Sequence, residues 1–303
     1  MDQRARIRAG LGLITLACVG VAGWGIARAR ASRQFFEPAN LLSRFPLEGG
    51  TALNVDFASL RKAGLLESKA PPEPEYKQFV EAAGVDYRRD VDLLVASFSK
   101  SGNYFIARGR FDWKKLREYA VRQGGSCYQD LCRVQGSTPE RRISFLPLRG
   151  DTIGLAVSGN DLAASRLTKT GPTVVTRPPE APVWVSIPGS ALRDSTVIPV
   201  GMRVFLTALS RAERIVITAA QGNGGIQAHM EATCRTSSDA AVLASQLRST
   251  TGILRDTLMT DKEASRDELA RTLAAGTFDN SGARVTGAWP IAKGLIESLT
   301  AGI

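Results

Sequence analysis

The chain has 303 residues, 44% of them apolar and 22% charged, a length with room for two compact domains and a composition that excludes wholesale disorder. Lysine and arginine outnumber aspartate and glutamate by 39 to 29, a formal charge of +10. A single histidine in the whole chain excludes a histidine-rich metal centre.

Positive charge concentrates at the start. Arg4, Arg6 and Arg8 precede the uncharged run Ala9–Ala27, and Arg28, Arg30 and Arg33 follow it. That run, if helical, spans about 28 Å, close to the hydrocarbon thickness of a bilayer. Residues 1–33 therefore read as a membrane anchor or signal segment. The length favours a retained transmembrane helix, whereas Ala29-Arg30-Ala31 fits a small-x-small cleavage pattern near Ala31. The segment holds six basic residues and one acidic, so the remaining 270 residues carry 33 basic against 28 acidic side chains. Half of the basic excess thus flanks the apolar run, which weakens an inference to nucleic acid. Arginines tie on its two sides, and a short tail before a long body favours an extracytoplasmic body.

The body opens on Phe45–Phe57, where Leu53, Val55 and Phe57 alternate as in a half-buried strand. Asp56 is placed to cap a short helix over Phe57–Leu66, stopped near Gly64. Prolines 71, 72 and 74 make 69–75 a linker, and Tyr76–Ala83 reads as a helix with Phe79, Val80 and Ala83 inward. Asp92–Phe98 and Tyr104–Phe111 are strand-like runs joined by a hairpin turn, Lys100-Ser101-Gly102-Asn103. Asp112 caps a helix over Trp113–Gln123 that turns Trp113, Leu116, Ala120 and Val121 inward.

Cys127 and Cys132 follow, spaced C-x4-C between Gly124-Gly125 and the β-like Arg133-Val134. The spacing fits neither a CxxC redox motif nor a zinc pair. It predicts a local disulfide closing a short hairpin, a bond that persists in an oxidising compartment. Ile143–Leu148 and Thr152–Val157 form a further hairpin through Arg149-Gly150-Asp151, and Asn160 caps a short helix over Asp161–Thr168.

After a proline-rich linker the order repeats. Pro182–Ile187 is a strand, Gly189–Arg193 echoes the stretch Phe57–Arg61, and Val200–Leu209 is a helix. Arg214–Ala220 and Gly225–Cys234 are strands joined at Asn223-Gly224, a type I′ hairpin signal; Cys234 reads as a small buried apolar residue. Ser237 or Ser238 caps Asp239–Met259, with an apolar stripe of Leu243, Leu247, Leu254 and Leu258. Glu263–Ala275 is an added helix and Gly282–Ala288 a strand. Pro290 opens a terminal helix with Ile291, Leu295, Ile296 and Leu299 inward. The prediction is an α+β protein: a transmembrane helix, then two ferredoxin-like antiparallel sheet-and-helix units over 45–170 and 182–303, with 171–181 as linker. The shared element order suggests an internal duplication.

Three short motifs invite a catalytic reading. Ser97-Phe98-Ser99-Lys100, Ser158-Gly159-Asn160 and Lys169-Thr170-Gly171 match, in order, the SxxK, SxN and KTG patterns of serine β-lactamases and penicillin-binding proteins. The predicted context argues against them. The serine of SxxK must open a helix so that its lysine lies one turn away, but here Ser97 ends a strand and Lys100 sits in a turn. The one imidazole, His229, shares a strand face with Gln227, Glu231 and Thr233, which reads as a solvated sheet face. Arg108–Lys115 mixes charge with aromatics but lacks the RNP1 spacing of an RNA-binding sheet, and reads as a strand-to-helix junction with Trp113 in the core. No catalytic, cofactor-binding or metal-ligating residue is assigned.

The stretch Val95–Leu116, through Ala107-Arg108-Gly109-Arg110-Phe111-Asp112-Trp113-Lys114-Lys115, resembles uncharacterised bacterial proteins anchored at their N-termini. The likeness is one of layout over the body; it implies an envelope location and brings no catalytic residues. The functional expectation is a non-enzymatic, inner-membrane, single-pass protein with an extracytoplasmic binding or scaffolding body. Its partners would be the membrane, through the N-terminal helix, and an envelope protein or apolar ligand; no cofactor and no nucleic acid are expected. A periplasmic lipid or apolar-ligand carrier, which needs an apolar pocket of several hundred Å3, is the alternative. A serine-type hydrolase is the third reading.

Overall fold

The computed structural model describes residues 38–295 except 47–48, 68–73, 137, 139–140, 172–177, 194–208, 223–224, 261–266 and 293. Twelve strands join in one sheet, and every pairing in it is antiparallel. The elements of the first half are helix α1 (Pro38–Leu42), β1 (Thr51–Val55), α2 (Phe57–Lys62), α3 (Pro74–Ala83), α4 (Tyr87–Asp90), β2 (Val91–Ser99), β3 (Gly102–Gly109), α5 (Trp113–Arg122), β4 (Ser126–Tyr128), β5 (Leu131–Gln135), β6 (Arg142–Arg149), β7 (Thr152–Ser158) and a 3-10 helix, Ala163–Thr168. The second half supplies β8 (Val183–Pro188), α6 (Gly189–Leu192), β9 (Ala212–Gly222), β10 (Gly225–Cys234), α7 (Ser237–Thr260), α8 (Glu268–Ala274), β11 (Thr277–Ser281) and β12 (Arg284–Ile291).

The strand order is β11-β12-β10-β9-β8-β1-β2-β3-β7-β6-β5-β4. It corrects the expectation of two ferredoxin-like units. The inner strands of the two halves, β1 and β8, pair with each other from Ala52 opposite Ser186 to Val55 opposite Val183. An unpaired strand edge is a liability, and this pairing removes one from each half. Outward from the junction the halves mirror one another in order: β1, β2, β3, β7, β6 on one side and β8, β9, β10, β12, β11 on the other. The cysteine hairpin β4–β5 extends the first side alone.

The expected transmembrane helix falls on residues outside the described set. No helix among the described residues is long and apolar enough to cross a membrane. The expectation of an inner-membrane, single-pass protein is corrected accordingly.

Side-chain alternation divides the sheet into two faces. On the front, Trp184, Asn54, Val95, Ile106 and Gly154 stand in one row across β8, β1, β2, β3 and β7. Here α1 and the 3-10 helix close a core of Leu41, Leu42, Phe45, Val95, Tyr104, Ile106, Leu167 and Trp184. The back face holds two further cores. One gathers Leu116 and Ala120 of α5 with Ala83 of α3, Cys132 and Phe145; the other sets Leu243, Ala244 and Leu247 of α7 over Ile215, Met230, Ala232 and Val285. Among the described residues the front face of β9, β10 and β12 bears no such core.

Local chemistry explains several element ends. The Asp56, Asp112 and Asp267 carboxylates accept the backbone N–H groups of Ser59, Lys115 and Leu269 at 2.8, 3.2 and 2.9 Å and so start α2, α5 and α8. Helix α7 is started one residue before the predicted cap: Thr236 Oγ1 accepts the Asp239 N–H at 3.0 Å. Two of its arginines clamp the next turn of chain, Arg255 donating to the Ala274 and Gly276 carbonyls and Arg248 to that of Phe278. Pro290 does not open a helix but continues β12 opposite Gln227. It is tolerated there because β11 pairs no farther along β12 than Ala288, leaving no partner for the missing N–H. The predicted helix 200–209 lies almost wholly outside the described residues, as do the linker prolines 71 and 72.

Cys127 and Cys132 are bonded and stand opposite one another in β4 and β5, so the predicted disulfide closes the predicted hairpin. Cys234 is buried.

One charged cluster holds the entry to β2. Asp90 is 7% exposed; its carboxylate accepts hydrogen bonds from Arg89, Arg110 and the backbone N–H of Asp86. Gly109 passes close against the Asp90 carbonyl, leaving no room for a Cβ. The Arg89 hydrogen bonds, working against desolvation, hold Asp90 at a pKa of about 2 against an ordinary 3.8. A depressed carboxylate contributes stability above its unfolded pKa that is lost as pH falls through the folded value. Asp90→Asn is thus expected to cost about 2 kcal/mol at pH 7. In urea titrations the gap from the parent should close as pH falls from about 4 towards 2; a pH-independent gap would refute the assignment.

Candidate binding basin on the front sheet face

Where no helix among the described residues covers the front face, it forms an open basin of about 550 Å3 lined by Pro179 and by residues of β9, β10 and β12. Strand alternation builds it. In β10, Met230, Ala232 and Cys234 turn back into the α7 core while His229, Glu231 and Thr233 turn forward. Register then supplies their neighbours. Trp184, Thr218, His229 and Ala288 form one row; Ser186, Val216, Glu231 and Thr286 the next; Pro188, Arg214, Thr233 and Arg284 the third. A register shift in β9 beside Cys234 sets Ala212 into the core and leaves Glu213 exposed. Plain alternation from Ile215 would have buried that carboxylate.

The charges are arranged as follows. Arg214 Nε donates to Ser186 Oγ at 3.1 Å, which fixes the plane of the guanidinium. Arg284 Nη1 lies 3.6 Å from Glu231 Oε1, with both side chains more than half exposed, a pairing that contributes little in such solvent contact. The basin therefore offers two guanidinium groups, one carboxylate, one imidazole and three threonine hydroxyls on a rigid three-strand floor. Among the described residues no group of three or more metal-ligating side chains comes together.

His229 is placed by the structure on the polar strand face that its sequence predicted, but that face is the floor of a concavity. Arg214, Thr218, Arg284 and Thr286 were missed. Their alternation was visible strand by strand; their meeting depends on register. The β-lactamase-like motifs do not form the required geometry. Ser97 is buried within β2, Lys100 occupies the following turn, and Ser158 Oγ donates to the Ser101 carbonyl at 2.9 Å. Lys100 therefore does not lie one helical turn from Ser97, as SxxK chemistry requires.

No protein-family model and no curated protein matches the chain. Solved structures do. Crystal form III of TP0453 superposes with a TM-score of 0.50 at 8% identity, covering 86% of this chain and 97% of that one. Crystal forms I and IV give TM-scores of 0.49 and 0.47 at 9% and 8% identity, over 88% and 86% of this chain and 98% and 96% of theirs. At such identity the likeness is one of fold. Function has to come from the site.

Proposed function

We propose that the chain is a non-enzymatic, extracytoplasmic binding body whose ligand seats in the basin on β9, β10 and β12. The observation that carries this reading is the basin itself. Its volume of about 550 Å3 falls among those of small-molecule sites. Its donors stand on paired strands rather than on loops, so their spacing is held before the ligand arrives. The Cys127–Cys132 disulfide supports an oxidising compartment. A closed carrier of apolar ligands is less favoured, because the concavity is open and carries Arg214, Glu231 and Arg284. The charge beyond residue 33, 33 basic against 28 acidic side chains, supports a partner other than nucleic acid.

The test is native mass spectrometry of the full chain, purified from its own host without a histidine tag. A small molecule released on denaturation is expected, and Val216→Trp, which fills the floor, should abolish it. Co-purification that survives Val216→Trp, no bound mass at all, or specific hydrolysis by the purified chain would overturn the reading.

A further inference from the structure

We infer that the ligand of this basin carries a phosphate group, held between Arg214 and Arg284 over the Thr233 hydroxyl. The inference rests on the reading of the basin as a ligand site and adds its chemistry. Arg214, Thr233 and Arg284 lie in one row on three adjacent strands, so the two arginine backbones stand about 10 Å apart with the threonine between them. Both arginines line the same concavity as Thr233, and their side chains are long enough to reach a group seated between them. A guanidinium presents donors in a planar fork that matches phosphate oxygens, and the hydroxyl adds a donor from below. Arg214 is already oriented through Ser186. Among the described residues Arg284 is held by an exposed ion pair with Glu231, which a phosphate oxygen can replace at little cost.

Glu231 sharpens the prediction. Its carboxylate stands beside the anion position and opposes it, so removing that charge should strengthen binding while removing either arginine weakens it. A structural role for the same residues would not produce opposite signs.

His229 supplies the readout, because it is the only histidine of the chain and lines the basin. Its imidazole C–H resonances form a single, self-assigned NMR reporter. The untagged full chain is titrated with inorganic phosphate, with glycerol 3-phosphate, and with phosphatidylglycerol vesicles against phosphatidylcholine vesicles. A saturable shift with either soluble phosphate identifies a free ligand. Broadening by phosphatidylglycerol vesicles alone identifies a lipid headgroup. In either case Arg214→Ala and Arg284→Ala should each weaken binding about tenfold or more, and Glu231→Gln should tighten it several-fold. Affinity should fall at high salt. Arg235→Ala, whose side chain pairs with Glu213 outside the basin, should leave it unchanged.

No response in any arm, or a response that survives both arginine substitutions, overturns the inference. Should Arg214→Ala impair folding, Glu231→Gln decides alone, since weaker or unchanged binding there is the wrong sign. If phosphates leave His229 unmoved while a co-purified molecule still depends on Val216, the phosphate assignment fails and the binding site stands. If neither binds, both fail.

Discussion

Replacing Trp184 by alanine is expected to lower the unfolding free energy by about 3–5 kcal/mol, with the damage felt mainly in the half of the chain to which Trp184 does not belong. The indole is 2% exposed and lies on β8, the first strand of the second half. Yet it packs into the core of Leu41, Tyr104, Ile106 and Leu167, all residues of the first half. Hydrogen exchange should show protection lost across β2, β3 and β7. Loss confined to β8, β9 and β10 would mean that the halves are energetically separate. The indole N–H has no hydrogen-bond partner among the described residues, so Trp184→Phe removes volume but no bond and should cost markedly less. Urea unfolding of the parent, followed by two probes, should accordingly give one coincident transition.

The second large effect concerns α7. Leu243→Ala is expected to cost about 2–5 kcal/mol, because Leu243 is fully buried among Ile215, Met230, Ala232 and Val285. Leu258→Ala, although it belongs to the same predicted stripe, should cost far less, since Leu258 remains partly in solvent and the neighbouring Ile253 and Met259 are exposed. Chemical denaturation of the two variants decides the matter. Equal losses would show that the whole length of α7 is packed. The periodicity of a helix reports which side chains share a face, not how far the partner sheet extends beneath that face. Burial along α7 ends at Thr251.

Helix α5 teaches the same lesson at smaller scale. Asp112 starts it and Leu116 and Ala120 face inward as their spacing requires, but Val121, expected beside them, is 58% exposed. One residue at the margin of an apolar stripe is left over when the neighbouring element, here α3 with Ala83 and Phe79, covers a narrower arc. Strand β11 was missed for a related reason. Thr277–Ser281 holds only Phe278 as a buried apolar residue, too little alternation to reveal an edge strand paired on one side.

What the amino-acid order determines by itself is local. Aspartate and asparagine caps, the turn glycines, the alternating runs of β1 to β3 and β9 to β10, and the short span between Cys127 and Cys132 each depend on interactions within a few residues. Those features are legible without a structure. The joining of β1 to β8 is not, because a strand edge carries no mark of the partner that will satisfy its N–H and C=O groups. Neither is the basin. Glu231 and His229 share a strand and an alternation phase, but Arg214 and Arg284 reach them through the register of β9 and β12, 17 and 53 residues distant in sequence from Glu231. Register is fixed by the apolar back face, where Ile215, Met230 and Val285 must all meet α7. A slip of one residue would turn that whole set outward. The basin on the front is a consequence of the packing behind it, and only the tertiary structure decides it.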